Sequence, residues 1–441
     1  MSIENVARAT VVGAEAEAPA ELRRVISASV IGTVIEWYDF LIYGTAAALV
    51  FSKLFFPATD ARIGIVSAFS VYAVGYLARP LGGLVFGHFG DRLGRKTMLM
   101  LSMVIMGGGT FLVGCLPTYQ QIGIAAPILL VALRLVQGLG LGGEWGGAVL
   151  MVAESAPPGR RGILGALVQL GNPIGRFIAT GIFAFTVYAF SGAFLSWAWR
   201  IPFLASIVLV GIGLFIRYRL HETPVFVQMR KAGKQARVPL MEVLSRHRRA
   251  MFISIGLKTC EVAWTGVFAI FVQSYLTNHL HLSRQLALDG IFLAAALEIL
   301  VIPVAGSLSD RIGRRAVFMA GIVFCLIAAF PMFWLLDTGN PALILLALMI
   351  GISLGQGIMF SLHASFMPEL FGTNVRYSGV SIGFQVGAAI FGGLTPLIAA
   401  ISVNFFAGAT WPISTYLVVL ALVSLTAVVA AREPARLSLA E

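Results

Sequence analysis

The chemistry-bearing residues of this chain sit at helical spacing inside apolar runs. Glu36, Asp39 and Tyr43 stand at i, i+3 and i+7, so they share one helix face. A desolvated carboxylate favours its neutral form, which makes either acid a candidate proton carrier; the alternative is a fixed salt-bridge partner. Arg134, Gln137 and Glu144 lie on one broad face of a second run. In a third, Gln169, Asn172 and Arg176 repeat the i, i+3, i+7 spacing, and Pro173 should kink the helix beside them. The planar fork of Arg176 suits a carboxylate cargo. Against that stands a tie to Glu36, Asp39 or another acid. Lys258 and Glu261, three apart in a fourth run, either neutralise each other locally or serve cargo and proton. Gln273, Gln356, His363 and Gln385 are further polar groups in apolar runs, His363 being either a packing residue or a proton relay.

These groups need a solvent and a scaffold. Hydrophobic residues make up 58% of the 441 and charged residues 12%, against about 25% charged in soluble domains. A chain that crosses a bilayer repeatedly has this composition, because each crossing takes about 20 apolar residues. Twelve apolar segments follow one another near 26–51, 62–86, 97–116, 124–152, 163–190, 199–217, 250–277, 285–308, 316–336, 341–367, 375–402 and 409–431. Each is predicted to be a helix, since a helix satisfies its own backbone in lipid. The cations Arg79, Arg134, Arg176 and Lys258 and the acids Glu36, Asp39, Glu144, Glu261 and Glu298 lie inside these segments. A bare charge at the bilayer centre costs about 2.5–3.5 kcal/mol on insertion scales, so this set implies a polar pathway through the protein.

The sequence Gly87-His-Phe-Gly-Asp-Arg-Leu-Gly-Arg-Lys96 returns as Gly306-Ser-Leu-Ser-Asp-Arg-Ile-Gly-Arg-Arg315, about half the chain later. One fold unit has been used twice. The predicted organisation is a cytoplasmic tail (1–24), a six-helix unit (25–217), a basic cytoplasmic linker (218–249), a second six-helix unit (250–431) and a short cytoplasmic tail (432–441). With both termini inside, most of the 31 Lys and Arg fall on the inner side, and the outer side keeps only Lys53, Arg62, Arg200 and Arg284. That asymmetry is the positive-inside pattern, and it places both copies of the repeat in the cytoplasm. Gly94 then allows a tight turn between two helices, with Arg92, Arg95 and Lys96 holding orientation.

Other function classes fit poorly. The net charge of +11 is scattered over short loops rather than gathered on one face, so nucleic acid is not an expected partner. The glycines from Gly138 to Gly143 mimic a nucleotide loop, but no strand precedes them; close helix packing accounts for them. No nucleophile–base or metal constellation is visible, so neither an enzyme nor a cofactor or metal site is expected. Cys115, Cys260 and Cys325 are expected as buried thiols. Trp37, Trp197, Trp199 and Trp264 stand near segment ends, as interfacial anchors or site walls.

The repeated stretch resembles the loop motif between helices two and three of the major facilitator superfamily, and Arg134-Leu-Val-Gln-Gly-Leu-Gly140 resembles the fourth-helix motif of its proton-coupled members. Glu36-Trp-Tyr-Asp-Phe40, Arg79-Pro-Leu-Gly-Gly83, Gly142-Gly-Glu-Trp-Gly-Gly147, Glu154-Ser-Ala-Pro-Pro158, Trp199-Arg-Ile-Pro-Phe203 and Arg376-Tyr-Ser-Gly379 narrow the resemblance to the metabolite:proton symporters. Cys260-Glu261 and residues 86–100 look most like the shikimate-type branch, from which Arg176 departs, that position being apolar there.

The resemblance implies an all-α major facilitator fold of twelve transmembrane helices in two bundles, working by alternating access. It also implies proton-coupled uptake of a small organic acid across an inner membrane, by a chain expected to be monomeric. A zwitterion such as proline or betaine is the alternative cargo. Asp39, Glu36, Glu144 and Glu261 are the proton candidates; Arg176 and Arg134, with Tyr43, Gln137, Asn172, Lys258, Gln356 and Gln385, are the cargo candidates. Gly87, Asp91, Arg92, Gly94 and Arg95 would form a gate, Asp91 pairing across the bundles with a helix N-terminus or a cation. Asp310 and Arg311 belong to the second copy, which need not behave alike because Ser307 and Ser309 replace His88 and Gly90.

Overall fold

A computed structural model describes residues 26–431 except 28, 58–60, 94, 143–144, 158, 219–245 and 373–374. The side chains of 87–96, 99, 148, 151, 153–155 and 216–218 lie outside the description as well. Both tails, most of the linker, Gly94, Glu144 and the side chains of Gly87, Asp91, Arg92 and Arg95 are therefore not among the described residues.

All regular structure among the described residues is helical, as the apolar runs predict. Helix α1 is Ser29–Leu54, and α2 joins Ala61–Leu77 to Arg79–Leu93. Next come α3 (Arg95–Cys115), α4 (Ala125–Leu141 and Trp145–Ser155), α5 (Arg161–Gln169 and Gly171–Ala189) and α6 (Ile201–Tyr218). The second half holds α7 (Arg248–His279), α8 (Arg284–Ile312), α9 (Arg314–Asp337), α10 (Pro341–Phe366), α11 (Arg376–Phe405) and α12 (Trp411–Ala430). Ten of the described helices are long and apolar enough to cross a membrane, and α3 adds a shorter apolar stretch, Met100–Cys115.

The expected break in α5 comes at Leu170. Pro173 has no N–H for the Gln169 carbonyl and its ring crowds that oxygen, so the chain cannot continue as one regular helix. In α8, Pro303 likewise leaves the Ile299 carbonyl without its helical donor, one residue beyond Glu298. Wide π-helical turns at Ala47–Phe51, Gly266–Phe271 and Gly351–Gln356 re-aim the faces of α1, α7 and α10.

Large apolar side chains such as Phe185, Phe252, Leu300, Ile327 and Val429 stand on the outside, where a lipid-facing surface puts them. Of the four tryptophans near segment ends only Trp197 is exposed; Trp37, Trp199 and Trp264 are buried, Trp264 donating to the Gly351 carbonyl at 2.7 Å. They pack the interior rather than anchor an interface. Cys260 and Cys325 are buried as expected, but Cys115 is exposed, because it lies on the outward face at the end of α3.

Within the first half α2 packs on α4 and α3 on both α4 and α6, while in the second α12 packs on α7 and α9. Between halves, α5 lies along α8 and α2 along α11. The glycine run of α4 serves close approach, as expected: a Cβ on Gly138 would run into the Gly75 carbonyl of α2, and one on Gly142 into Arg79 O. Gly138→Val should therefore destabilise the protein by about 1–3 kcal/mol, the cost of overpacking a tight contact. A lowered thermal midpoint in detergent would report it; an unchanged midpoint would contradict so close a packing of α2 on α4.

Candidate functional site

The helix faces picked out by spacing converge on a polar layer between the halves, but not as a single cluster. Glu36 turns to Arg79 of α2, with 3.6 Å between Oε1 and Nη2. Asp39 turns to α3, beside Gly107 and the Thr110 hydroxyl, and has no cationic partner among the described residues. Tyr43 lies under Arg134, whose guanidinium carbon is 4.1 Å from the ring centre. So α1 sends its three polar residues to three different neighbours.

Arg134 is a buried cation in an aromatic cage. Phe40 and Tyr72 flank it at 4.9 and 5.6 Å, and Gly75 leaves the space its Nε occupies. Aromatic faces attract a cation but fill none of its directional N–H bonds; Nε and Nη2 of Arg134 meet no acceptor. Gln137, one turn on, donates to the Thr110 hydroxyl at 2.8 Å. The cage borders the other half through Tyr76, which packs under Gly392 and Gly393 of α11. Tyr76 and Phe40 also flank Arg79, each at 5.1 Å.

Arg176 behaves differently. Its Nη1 meets Glu298 Oε2 of α8 at 2.6 Å, and its Nη2 donates to Gln356 Oε1 of α10 at 2.7 Å and to Asn172 Oδ1 at 3.0 Å. Gln356 returns a bond to Asn172 Oδ1 at 3.3 Å. This network joins the two halves, and Arg176 and Glu298 are 1% and 0% exposed. Breaking such a buried pair by removing one partner costs about 3–5 kcal/mol. Of the two readings left open for Arg176, the tie to an acid is the arrangement found, and the acid is Glu298.

In the second half, Lys258 Nζ meets Glu261 Oε2 at 2.5 Å and stands over the Phe384 ring at 4.1 Å. His363 faces the Leu257 carbonyl at 3.3 Å, with its Nδ1 3.8 Å from Glu261. Gln385 donates across the halves to Gly142 O at 3.1 Å, and beside it Trp145 stacks on Phe384 with centroids 3.6 Å apart. Gln273 lies toward the far end, 3.4 Å from the Thr45 hydroxyl.

The second copy of the repeated motif forms the hairpin between α8 and α9, and Gly313 makes its turn at φ 100°, where a side chain would be strained. Asp310 reaches across the halves to the start of α5, accepting from the N–H groups of Gly162 and Ile163 at 2.8 and 2.9 Å. Those N–H groups have no partner within their own helix, and the positive end of the helix dipole favours a carboxylate there. Arg314 steadies Asp310 at 2.8 Å, while Arg311 points outward. Asp310 thus makes a contact of the kind expected of Asp91, whose side chain lies outside the described residues, and the serines do not prevent it: Ser309 accepts from Arg314 at 2.9 Å and leaves Asp310 free to cap. Gly162 and Gly306 let the two backbones meet at this end. At the opposite end Arg284 of α8 lies 5.7 Å from the centre of the Phe194 ring of the first half. The halves therefore touch at both ends and in the middle.

Two halves of apolar, membrane-length helices closed on a buried, charged layer mark a membrane transport protein rather than an enzyme. The chain belongs to the Major Facilitator Superfamily, whose model matches residues 29–392 and 262–438. It is 41% identical over 405 residues to the shikimate transporter of Escherichia coli (strain K12), covering 91% of this chain and 92% of that one. It is 40% identical over 425 residues to the inner membrane metabolite transport protein YhjE of the same strain, covering 94% and 95%. With the proline/betaine transporter of that strain the identity is 35% over 431 residues, covering 94% and 84%. Among solved structures, the proton:xylose symporter XylE superposes with a TM-score of 0.71 at 15% identity, over 93% of this chain and 95% of that one, which shows the shared fold.

Sequence spacing located Arg176, Asn172 and Gln356 but gave Glu298 no role. Its partner is 122 residues away, and no local pattern joins them. The cap made by Asp310 tests the closed contact directly. Asp310→Ala should open the motif end, read as a longer distance between spin labels at Thr97 and Arg246, both exposed near that end. Asp310→Asn, which keeps one acceptor, should open it less. Unchanged distances in both would contradict a holding role for the cap.

Proposed function

We propose that this transporter carries a small organic anion inward together with protons, across an inner membrane with both termini in the cytoplasm. The observation that carries the reading is Arg134: a buried guanidinium walled by Phe40, Tyr43 and Tyr72, with two N–H directions and no acceptor on them. A carboxylate offers acceptors in that fork geometry, and a flat or ring-shaped body is what aromatic walls accommodate. The shikimate transporter among the relatives is named for a cargo of this kind.

The proton is needed for an electrostatic reason. An anion entering a low-dielectric layer adds a charge, and a proton taken up by a buried carboxylate cancels it. Asp39 suits that task because no cation holds its charge, whereas Glu36 and Glu261 already face Arg79 and Lys258. Tyr43, Gln137, Asn172, Gln356, Gln385 and Lys258 would line the path of the cargo. The asymmetry of basic loops gives the orientation, and the inner-membrane relative agrees with the compartment.

Reconstituted protein under an inward proton gradient should accumulate shikimate or another organic acid, and a protonophore should abolish the accumulation. Arg134→Gln should weaken the affinity for the acid at least tenfold and Arg134→Lys less, since the lysine keeps the charge but not the fork. Accumulation of proline or betaine, indifferent to added carboxylates, would overturn the anion assignment in favour of a zwitterion. Uptake of acid indifferent to the protonophore would overturn the coupling.

A further inference from the structure

We propose that the motif end of the second half carries a binding site for an anionic phospholipid, its phosphate held by Arg249 and Arg315 and its chains lying along Phe252 and Val429. The inference is independent of the cargo. It takes from the reading above only the orientation, which puts this end at the inner leaflet.

Three helix ends of the second half meet here. α7 begins at Arg248, α9 begins at Arg314, and α12, which packs on both, ends at Ala430. The last carbonyls of a helix have no donor of their own. Arg249 Nη2 donates to the Ala430 carbonyl and Arg315 Nη2 to the Val429 carbonyl, both at 3.2 Å. Two guanidiniums from separate helices therefore converge on adjacent carbonyls of a third.

The end of α12 does not neutralise them. A helix C-terminus carries the equivalent of about half a negative charge, against two full positive ones. Arg248 adds a third, exposed at the same end. No acid stands in the first turn of α7 or α9. The acids described at this end are engaged elsewhere: Asp310 caps α5 and meets Arg314, and Glu369 faces Arg314 at 3.5 Å. Arg249 and Arg315 also stand at the positive ends of their own helices, where a cation is disfavoured. An anion from outside relieves both placements.

The chemistry of the surroundings selects the anion. Arg249 is exposed and spends one N–H on Ala430, so its fork has further donors to offer, in a geometry that matches two phosphate oxygens. Phe252, three residues beyond Arg249 and therefore on its face one turn deeper, is 65% exposed, and Val429 is 58% exposed. Bare apolar surface just below paired cations suits a molecule with an anionic head and apolar chains; free phosphate would leave that surface uncovered. The head must also lack a cation of its own, because a choline or ethanolamine group would bring a like charge to the patch. Phosphatidylglycerol has the required make-up, and one such lipid would join the starts of α7 and α9 to the end of α12.

Full-length protein in a neutral detergent, given phosphatidylglycerol, phosphatidylcholine or inorganic phosphate at equal concentration, tests the site. Native mass spectrometry reads the lipid retained, and the thermal midpoint reads its effect on the fold. The wild type should retain phosphatidylglycerol in preference to phosphatidylcholine and gain several degrees from it alone. Each arginine replaced by glutamine should lower the preference about fivefold, the strength of one basic side chain at an anionic surface. Arg249→Gln/Arg315→Gln should therefore lose both the preference and the gain, while Arg249→Lys/Arg315→Lys should keep part of each, since lysine has the charge without the fork. Arg160→Gln, which removes an exposed cation at the motif end of the first half, should match the wild type. Should the double glutamine variant fail to fold, Arg249→Gln alone, at an exposed position, reads the same loss. A wild type without the preference, or either glutamine variant that keeps it in full, would overturn the site. An equal loss in Arg160→Gln would reduce the effect to general surface charge, and an equal gain from inorganic phosphate would assign the patch to a soluble anion; either result would overturn the lipid assignment.

Discussion

A charge buried between two apolar surfaces that close on each other is costly unless it is paired, and the arrangement around Arg176 answers that constraint. Its guanidinium and the Glu298 carboxylate meet at 2.6 Å across the halves, with Gln356 and Asn172 filling the second nitrogen. Away from this network the interface is largely aromatic and small, as in Phe177 against Phe292 and Trp145 against Phe384. Neighbours of that kind close or part without directional loss, so the resistance to parting rests on the directional contacts across the halves, among them this ion pair, the Asp310 cap and Gln385 on the Gly142 carbonyl.

The rest of the scaffold sets where that resistance acts. Pro173 breaks α5 just before Arg176 and Pro303 frees a carbonyl just after Glu298, so both helices are locally weakened near the pair. At the motif end Asp310 caps the start of α5, the helix that carries Arg176. The Asp310 cap and the central pair therefore lie on the same two helices, α5 and α8. The aromatic cage of Arg134 stands apart in the first half, and its Nε and Nη2 meet no acceptor.

The twelve apolar runs, the duplication and the membrane environment were legible in the sequence because composition and period alone determine them. Local pairs were legible too: Lys258 with Glu261 follows from a three-residue spacing, and the break in α5 follows from Pro173. Contacts across the halves were not. Glu298 with Arg176, Gln385 with Gly142 and Asp310 with Gly162 join residues more than 100 positions apart. Helical spacing says which residues share a face but not which helix that face meets. For the same reason Glu36, Asp39 and Tyr43, although neighbours on α1, part toward α2, α3 and α4. What the serines of the second motif copy do was not legible either: Ser309 accepts from the arginine that steadies Asp310.

The central claim is that cargo and proton cross together because the buried layer tolerates no net change of charge. Proton movement measured directly, with a pH-sensitive dye trapped in proteoliposomes and no imposed gradient, tests it. Adding a monocarboxylate such as shikimate outside should acidify the lumen at the rate the anion enters, and clamping the membrane voltage should leave that rate unchanged. Anion entry without acidification, or entry that follows the clamped voltage, would contradict it.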